Sequence, residues 1–152
     1  MDKIDAAILN ELRKNARIPN RTLAEKVHLS PSAALSRVGR LKREGFIRSF
    51  ETRLDHRKLG CSLAVFVELS IEKNVGDKRI GEILTKIPEV LEIYDVAGEG
   101  DYLLKIVTTD SEALRELMYR IGAIPGVRSS RTTLLLGTLK QELSPLAVAD
   151  RN

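Results

Sequence analysis

The chain has 152 residues, 43 % hydrophobic and 30 % charged, the balance of a soluble globular protein with one ordinary domain or two small ones. Aromatics are only 4 % with no Trp, so stacking platforms for single-stranded nucleic acid are poorly supplied, and no apolar run approaches the ~18–20 residues of a membrane span. Residues 1–60 hold 14 Lys/Arg against 7 Asp/Glu, a balance of +7, while residues 61–152 hold 11 against 14, a balance of −3, so two modules are expected and only the front one suits a polyanion.

In the front module, Ile4, Ile8 and Leu12 recur every four residues with Ala7 and Leu9 beside them. This is one apolar helix face, with Asp2 and Asp5 at its positive end. Arg17-Ile18-Pro19-Asn20 breaks the pattern, and a short second helix follows through Leu23, Ala24 and Val27. After His28-Leu29, Ser30 is a good N-cap and Pro31 fits the first helical position. A third helix is expected from Pro31 to Glu44, with Leu35, Val38 and Leu41 inward and Gly45 as its stop. Phe46 to Leu54 reads as an extended segment leading out.

Three short helices with a tight turn between the second and third form a helix-turn-helix. Ser32, Ala33, Ser36, Arg37, Arg40 and Arg43 are expected on the outward side of the third helix. Small residues near its start allow close approach to base edges, and the arginines suit guanine edges or phosphates. A three-helix bundle without a DNA role would more often place acids there, and none precedes Glu44.

In the back module, Leu63 to Ile71 reads as a strand. Val75-Gly76 opens a helix marked by Ile80, Ile83, Leu84 and Ile87 and ended by Pro88. Val90 to Val96 and Tyr102 to Thr108 are strands around a Gly98-Glu99-Gly100-Asp101 hairpin. Asp110 caps a helix with Leu114, Leu117, Met118 and Ile121 inward, and Val127 to about Leu139 is the last strand. Ile87-Pro88-Glu89-Val90 and Ile124-Pro125-Gly126-Val127 echo each other at helix-to-strand junctions. The order βαββαβ predicts a ferredoxin-like sheet with both helices on one face. The other face needs a cover, so a homodimer is expected. The overall class is thus α+β, residues 1–60 carrying the helix-turn-helix (winged-helix-like) and linker strand, and residues 61–152 the ferredoxin-like unit.

Two readings of the Gly98–Tyr102 loop are open. It is either a plain hairpin whose glycines supply positive φ, or a ligand loop whose open N–H groups meet a carboxylate while Asp101 takes an ammonium. His28 and His56 have no ligand-spaced neighbours, so no metal or cofactor is expected. Cys61 has no partner for an intrachain disulfide and reads as a small packed residue. Glu68, Glu72, Glu82, Glu89, Glu92 and Glu99 read as a solvated face. No nucleophile–base pair or phosphate loop is visible, which argues against an enzyme. Nor is there a secretion-signal layout at the N-terminus, so a cytoplasmic setting is expected.

Asp2-Lys3-Ile4-Asp5, Asn15-Ala16-Arg17-Ile18-Pro19-Asn20, Leu23-Ala24-Glu25-Lys26-Val27, Leu29-Ser30-Pro31-Ser32, Arg37-Val38 and Glu44-Gly45-Phe46-Ile47 together resemble the Lrp/AsnC (feast/famine) regulators. Leu59-Gly60 continues the match, and the back module resembles that family's ligand domain up to about Leu146. The family often has Pro-Cys where this chain has Ala33-Ala34, and a larger or basic residue at Ser36. The resemblance implies a sequence-specific regulator on double-stranded DNA, tuned by an amino acid or related metabolite, with dimers assembling to tetramers or octamers. It also implies an effector site at Gly98, Gly100, Asp101 and Tyr102, with Thr132 and Thr133 on the neighbouring strand. An architectural, nucleoid-type DNA-bending protein is the alternative these residues leave open.

Overall fold

The computed structural model describes residues 1–72, 78–142 and 144–148. They form two compact units: Met1–Arg53 with the chain from Lys140 onward, and Leu54–Leu139.

The first unit is built on three helices. α1 (Lys3–Lys14) opens with a reciprocal cap, the Asp5 N–H donating to the Asp2 carboxylate at 2.7 Å and the Asp2 N–H to the Asp5 carboxylate at 3.2 Å. α2 (Asn20–Lys26) has no side-chain cap; its Asn20 amide instead donates to the Pro31 carbonyl at 2.8 Å, tying the starts of α2 and α3 together. α3 (Pro31–Arg43) is capped as its sequence predicts, Ser30 Oγ accepting from the Ala33 N–H at 3.2 Å. Between α2 and α3 the chain turns through His28, a non-glycine residue held at φ 55°. Gly45, at φ 79°, ends α3 in the left-handed conformation that favours glycine. Ile8, Leu23, Val27 and Leu41 form the buried core, with Val38 and Ile47 packed against it.

The packing of one residue and the pairing of one segment depart from expectation here. Leu35 is not inward but 62 % exposed, and Ala34 takes the buried place near the turn, where a methyl group lets the helices approach closely. No ladder pairs residues 46–62 among the described residues, so the extended segment is not a strand; a strand needs a neighbour for its backbone groups. The Lys42 ammonium of α3 lies 5.6 Å from the ring centre of Phe50 in this segment.

The unit boundaries also differ from a division at residue 60. The chain joins the second unit from Leu54, where Asp55–Cys61 is a self-bonded turn: Asp55 Oδ1 accepts from the Arg57 N–H at 3.0 Å, and the Cys61 N–H donates to His56 at 2.8 Å. The tail belongs to the first unit rather than the second. The Asn10 side-chain amide exchanges two hydrogen bonds with the Ala147 backbone, both 2.9 Å, and Arg13 pairs with Glu142 at 2.6 Å.

The second unit has the expected order: β1 (Leu63–Ile71), α4 (Arg79–Leu84), β2 (Val90–Asp95), β3 (Tyr102–Thr108), α5 (Ser111–Gly122) and β4 (Val127–Leu134). The sheet runs β2-β3-β1-β4, antiparallel throughout. Strand alternation sends Val65, Val67 and Leu69 of β1, with Leu104 and Ile106 of β3, to one face, where Leu84, Leu117 and Ile121 of the helices bury them. Ala64, Phe66, Leu103, Lys105 and Val107 lie on the other face, which neither helix covers. Ile83 is exposed rather than part of the helical stripe, β4 ends at Leu134 rather than Leu139, and Val75-Gly76 lies outside the described residues. The acids expected on one solvated face are spread over several elements. Glu92 pairs with Lys105 at 2.7 Å, and Glu89 with Arg120 at 2.7 Å.

The two junctions that echo in the sequence make the same backbone bond. Val90 donates to Ile87 and Val127 to Ile124, both at 3.1 Å. Pro125 and Gly126 at the centre of the second, with Gly126 at φ 97°, fit a type II turn. A Cβ on Gly126 would also stand 2.9 Å from Ile80 Cδ1. Gly126→Ala is therefore expected to lower stability by about 1–2 kcal/mol, from the forced positive φ and the crowding together. Denaturant unfolding of wild type and variant measures this, and Glu89→Ala at the equivalent place of the first junction should not reproduce the backbone part of the loss.

Candidate nucleic-acid interface and effector loop

On the 3.6-residue period, Ser32, Leu35, Ser36, Gly39 and Arg43 share the outward side of α3. Ser32, Leu35, Ser36 and Arg43 are exposed, while Ala33 is half-buried beside the N-cap. Arg43 makes no ion pair among the described residues. Its Nη1 lies back along the helix, 3.5 Å from where a Cβ on Gly39 would stand.

Arg37 and Arg40 do not join this face. Arg37 Nη1 donates to Asp2 Oδ2 at 2.5 Å and to Asp5 Oδ1 at 2.8 Å. Arg40 Nη2 donates to both Asp5 oxygens at 2.8 Å, and its Nη1 pairs with Glu44 at 3.3 Å. Asp5 is 1 % exposed, so α1 and α3 are joined by a buried carboxylate held between two guanidiniums. The expectation that these arginines reach outward is corrected for a simple reason. A buried carboxylate without such partners would be costly, and these are the cations that α3 brings beside it.

The charges respond accordingly. The Arg37 hydrogen bond, with the Asp5 N–H, holds the Asp2 carboxyl down to about 2. Burial pushes the Asp5 carboxyl up, but the hydrogen bonds from Arg40, Arg37 and the Asp2 N–H outweigh it and hold it below the usual range. Glu11, also on α1, is held down to about 2 by hydrogen bonds from Lys14 and Lys26.

In the second unit, the β2–β3 hairpin brings Gly100 and Asp101 beside the end of β1, whereas the Cβ position of Gly98 opens onto free space. Neither glycine has a positive φ, so the conformational reason expected for them does not apply. Gly100 is required by space: a Cβ there would stand 2.3 Å from Glu68 Cγ and 2.6 Å from its Oε1. Asp101 buckles the hairpin to β1. Its N–H donates to the Leu69 carbonyl and its Oδ2 accepts from the Ile71 N–H, both at 2.8 Å.

Beside this hairpin lies an open concavity of about 220 Å³ lined by Glu68, Ser70, Glu99, Ser129, Ser130 and Arg131. Arg131 Nη1 stands 3.4 Å from Glu99 and 4.0 Å from Glu68. Tyr102 is not part of it, because its ring packs in the helix-covered core and its hydroxyl crowds the space above Gly81. Thr132 pairs with Val67 and Thr133 with Phe66, so the two threonines point to opposite faces and cannot line one surface of a single chain. Among the described residues no cluster of three or more His, Cys, Asp and Glu could hold a metal ion, and no helix is long and apolar enough to cross a membrane.

Residues 64–145 match the family model of the Lrp/AsnC ligand binding domain, and residues 1–48 match that of a winged helix-turn-helix DNA-binding domain. The chain belongs to the Lrp/AsnC family. The leucine-responsive regulatory protein of Escherichia coli K12 is 39 % identical over 144 residues, 93 % of this chain and 88 % of that one. A transcriptional regulator from Neisseria meningitidis, crystallised with L-methionine, superposes with a TM-score of 0.90 at 31 % identity, over 95 % of this chain and 96 % of that one. A feast or famine regulatory protein from M. tuberculosis, also complexed with L-methionine, gives 0.89 at 31 % identity, over 95 % and 98 %. The chain is thus an Lrp-type transcriptional regulator, with a DNA-binding helix-turn-helix in its first unit and the family's ligand-binding domain in its second.

Sequence reasoning missed Glu68 and Arg131 beside the hairpin. Strand periodicity puts each at an every-other-residue position on its own strand, but only the register that pairs Glu68 with Arg131 brings them together.

The α1–α3 clamp predicts an acid dependence. Asp2 has a folded pKa below its ordinary 3.8, so its contribution is present in full above about pH 4 and is lost as pH falls towards about 2. The melting temperature of the full chain should fall over that window, and Asp2→Asn should make the fall shallower. Equal pH profiles for the two proteins would contradict the clamp.

Proposed function

We propose that this regulator works as a homodimer, or a higher assembly of dimers, that reads double-stranded DNA with the outward face of α3 and binds an amino acid beside the Gly98–Asp101 hairpin. The observation that carries the effector reading is the mixed charge of the concavity, where Arg131 stands between Glu68 and Glu99. A zwitterion needs a cation for its carboxylate and an anion for its ammonium, and one arginine between two acids offers both. The L-methionine complexes of the Neisseria and M. tuberculosis relatives support an amino acid as the ligand class. Gly98 and Asp101 shape the rim, Gly100 makes room for Glu68, and Thr133 lies on the same sheet face as Arg131. Tyr102 and Thr132 lie on the helix-covered side of the sheet and are left out of the proposed site.

The dimer reading rests on the uncovered sheet face. Half-buried Phe66 and Leu103 lie there, and exposed Leu136 and Leu139 follow β4. A surface of this kind is normally covered by another subunit. In the DNA-reading unit, Ser32, Ala33, Ser36 and Arg43 approach the duplex, while Arg37 and Arg40 fix the pose of α3 and present their remaining N–H groups at its flank.

Calorimetry with the proteinogenic amino acids tests the effector site. One or more should bind wild type, and Arg131→Ala should weaken that binding by about tenfold or more, as expected for loss of a charge-assisted pair. Asp101→Ala is the contrasting variant. It deprives the Ile71 N–H of its acceptor and should lower stability by about 1–3 kcal/mol with or without ligand. Equal ligand affinity in wild type and Arg131→Ala removes the concavity from the effector site.

For DNA, Arg43→Ala should weaken binding and reduce the salt slope by about one without changing the melting temperature. Arg37→Ala should instead lower the melting temperature, because it strips partners from Asp2 and Asp5. Band-shift titrations at several salt concentrations, read beside thermal melts, separate the two roles.

A further inference from the structure

We propose that Leu35 is a specificity residue that reads the 5-methyl group of thymine in the major groove. The inference rests on the DNA-reading role of α3 and deepens it.

Leu35 is 62 % exposed and lies outside the hydrophobic core that buries Leu41 from the same helix. Its neighbours one turn away, at i−4, i−3, i+3 and i+4, are Pro31, Ser32, Val38 and Gly39, and Ser36 shares the outward side. Val38 packs towards the core, so the isobutyl group stands outward beside Pro31, two hydroxyls and Gly39, with Arg43 Nη1 folded back near Gly39. It is also the fifth residue of α3, in the N-terminal half that a helix-turn-helix presents to base edges.

The polar alternatives for base discrimination are restricted on this face. The guanidiniums of Arg37 and Arg40 are engaged by Asp2, Asp5 and Glu44, leaving Arg43 as the unengaged arginine of α3 two turns beyond Leu35. The hydroxyls of Ser32 and Ser36 can donate or accept, so they pair with any base edge and discriminate weakly. The major groove offers one apolar group, the thymine methyl, and an exposed aliphatic side chain at the groove-facing side of α3 is its chemical complement. Gly39 brings no side chain of its own to the contact, and the Arg43 guanidinium 3.5 Å from its Cβ position is the end of a flexible side chain that can swing away to a phosphate.

The test uses the full-length chain and duplexes selected by it from a random pool. Each thymine of the selected sequence is replaced in turn by deoxyuridine, which removes the methyl and nothing else. Wild type should lose about fourfold in affinity at one thymine of each half-site, the effect of one buried methyl group. Leu35→Ala should bind the thymine and uracil duplexes equally and keep the wild-type melting temperature, because it trims an exposed side chain from a helix that alanine favours. Three results overturn the proposal alone: wild type indifferent to uracil at every position, an unchanged thymine-to-uracil ratio in Leu35→Ala, or a markedly lower melting temperature showing that Leu35 packs against a second copy. A pool in which no sequence is enriched overturns the sequence-reading role of α3 itself, and the proposal with it.

Discussion

The DNA-reading unit depends on one buried carboxylate. Asp5 lies in the first turn of α1, at the end where helix N–H groups already favour negative charge. It accepts hydrogen bonds from its own N-cap residue and from two arginines of α3. Burial of such a group is unfavourable unless each oxygen is satisfied, and here both are. The result is directional. Apolar contacts through Val38 and Leu41 allow α3 to roll or slide, whereas a carboxylate between two guanidiniums fixes its rotation about its own axis. That rotation leaves Ser32, Leu35, Ser36 and Arg43 on the outward side of α3 and holds Arg37 and Arg40 against α1.

The same logic of satisfied polar groups organises the second unit. Asp101 closes the β2–β3 hairpin onto the end of β1, using its backbone N–H towards Leu69 and its carboxylate towards Ile71. This fixes where Glu68 crosses the hairpin, which in turn forbids any side chain at Gly100. The register between β1 and β4 then sets Arg131 opposite Glu68. The charged concavity is therefore a consequence of hairpin closure and strand register together, and its two ends come from segments about thirty residues apart on either side of α5.

Much of this was legible in the sequence, and the parts that were not share a cause. Ser30-Pro31, Gly45 and Asp110 act locally, through the residue's own turn, and each does in the structure what its chemistry dictates. The element order and the echo of Ile87-Pro88 with Ile124-Pro125 follow from local periodicity for the same reason. Leu35 was misread because its hydrophobicity outranks that of Ala34, although both continue a plausible stripe with Val38 and Leu41. Close helix approach favours the smaller residue, and that is a tertiary constraint. Arg37 and Arg40 were read as outward for want of the distant partner: Asp5 is more than thirty positions away, and charge alone does not say which cations it takes. Thr132 and Thr133 are different. Their adjacency on a strand already implied opposite faces, so period two contained that correction.

The tail completes the packing of the first unit. The chain crosses from the first unit to the second near residue 53 and returns near residue 140. The returning segment is bound to α1 through Asn10 and Arg13, not left as an end. The second crossing continues directly from β4, the strand that carries Arg131. A ligand can shift an equilibrium only through a difference in affinity between states. For a ligand held by Arg131, any such difference has to arise within the second unit, because Arg131, Glu68 and Glu99 all belong to it.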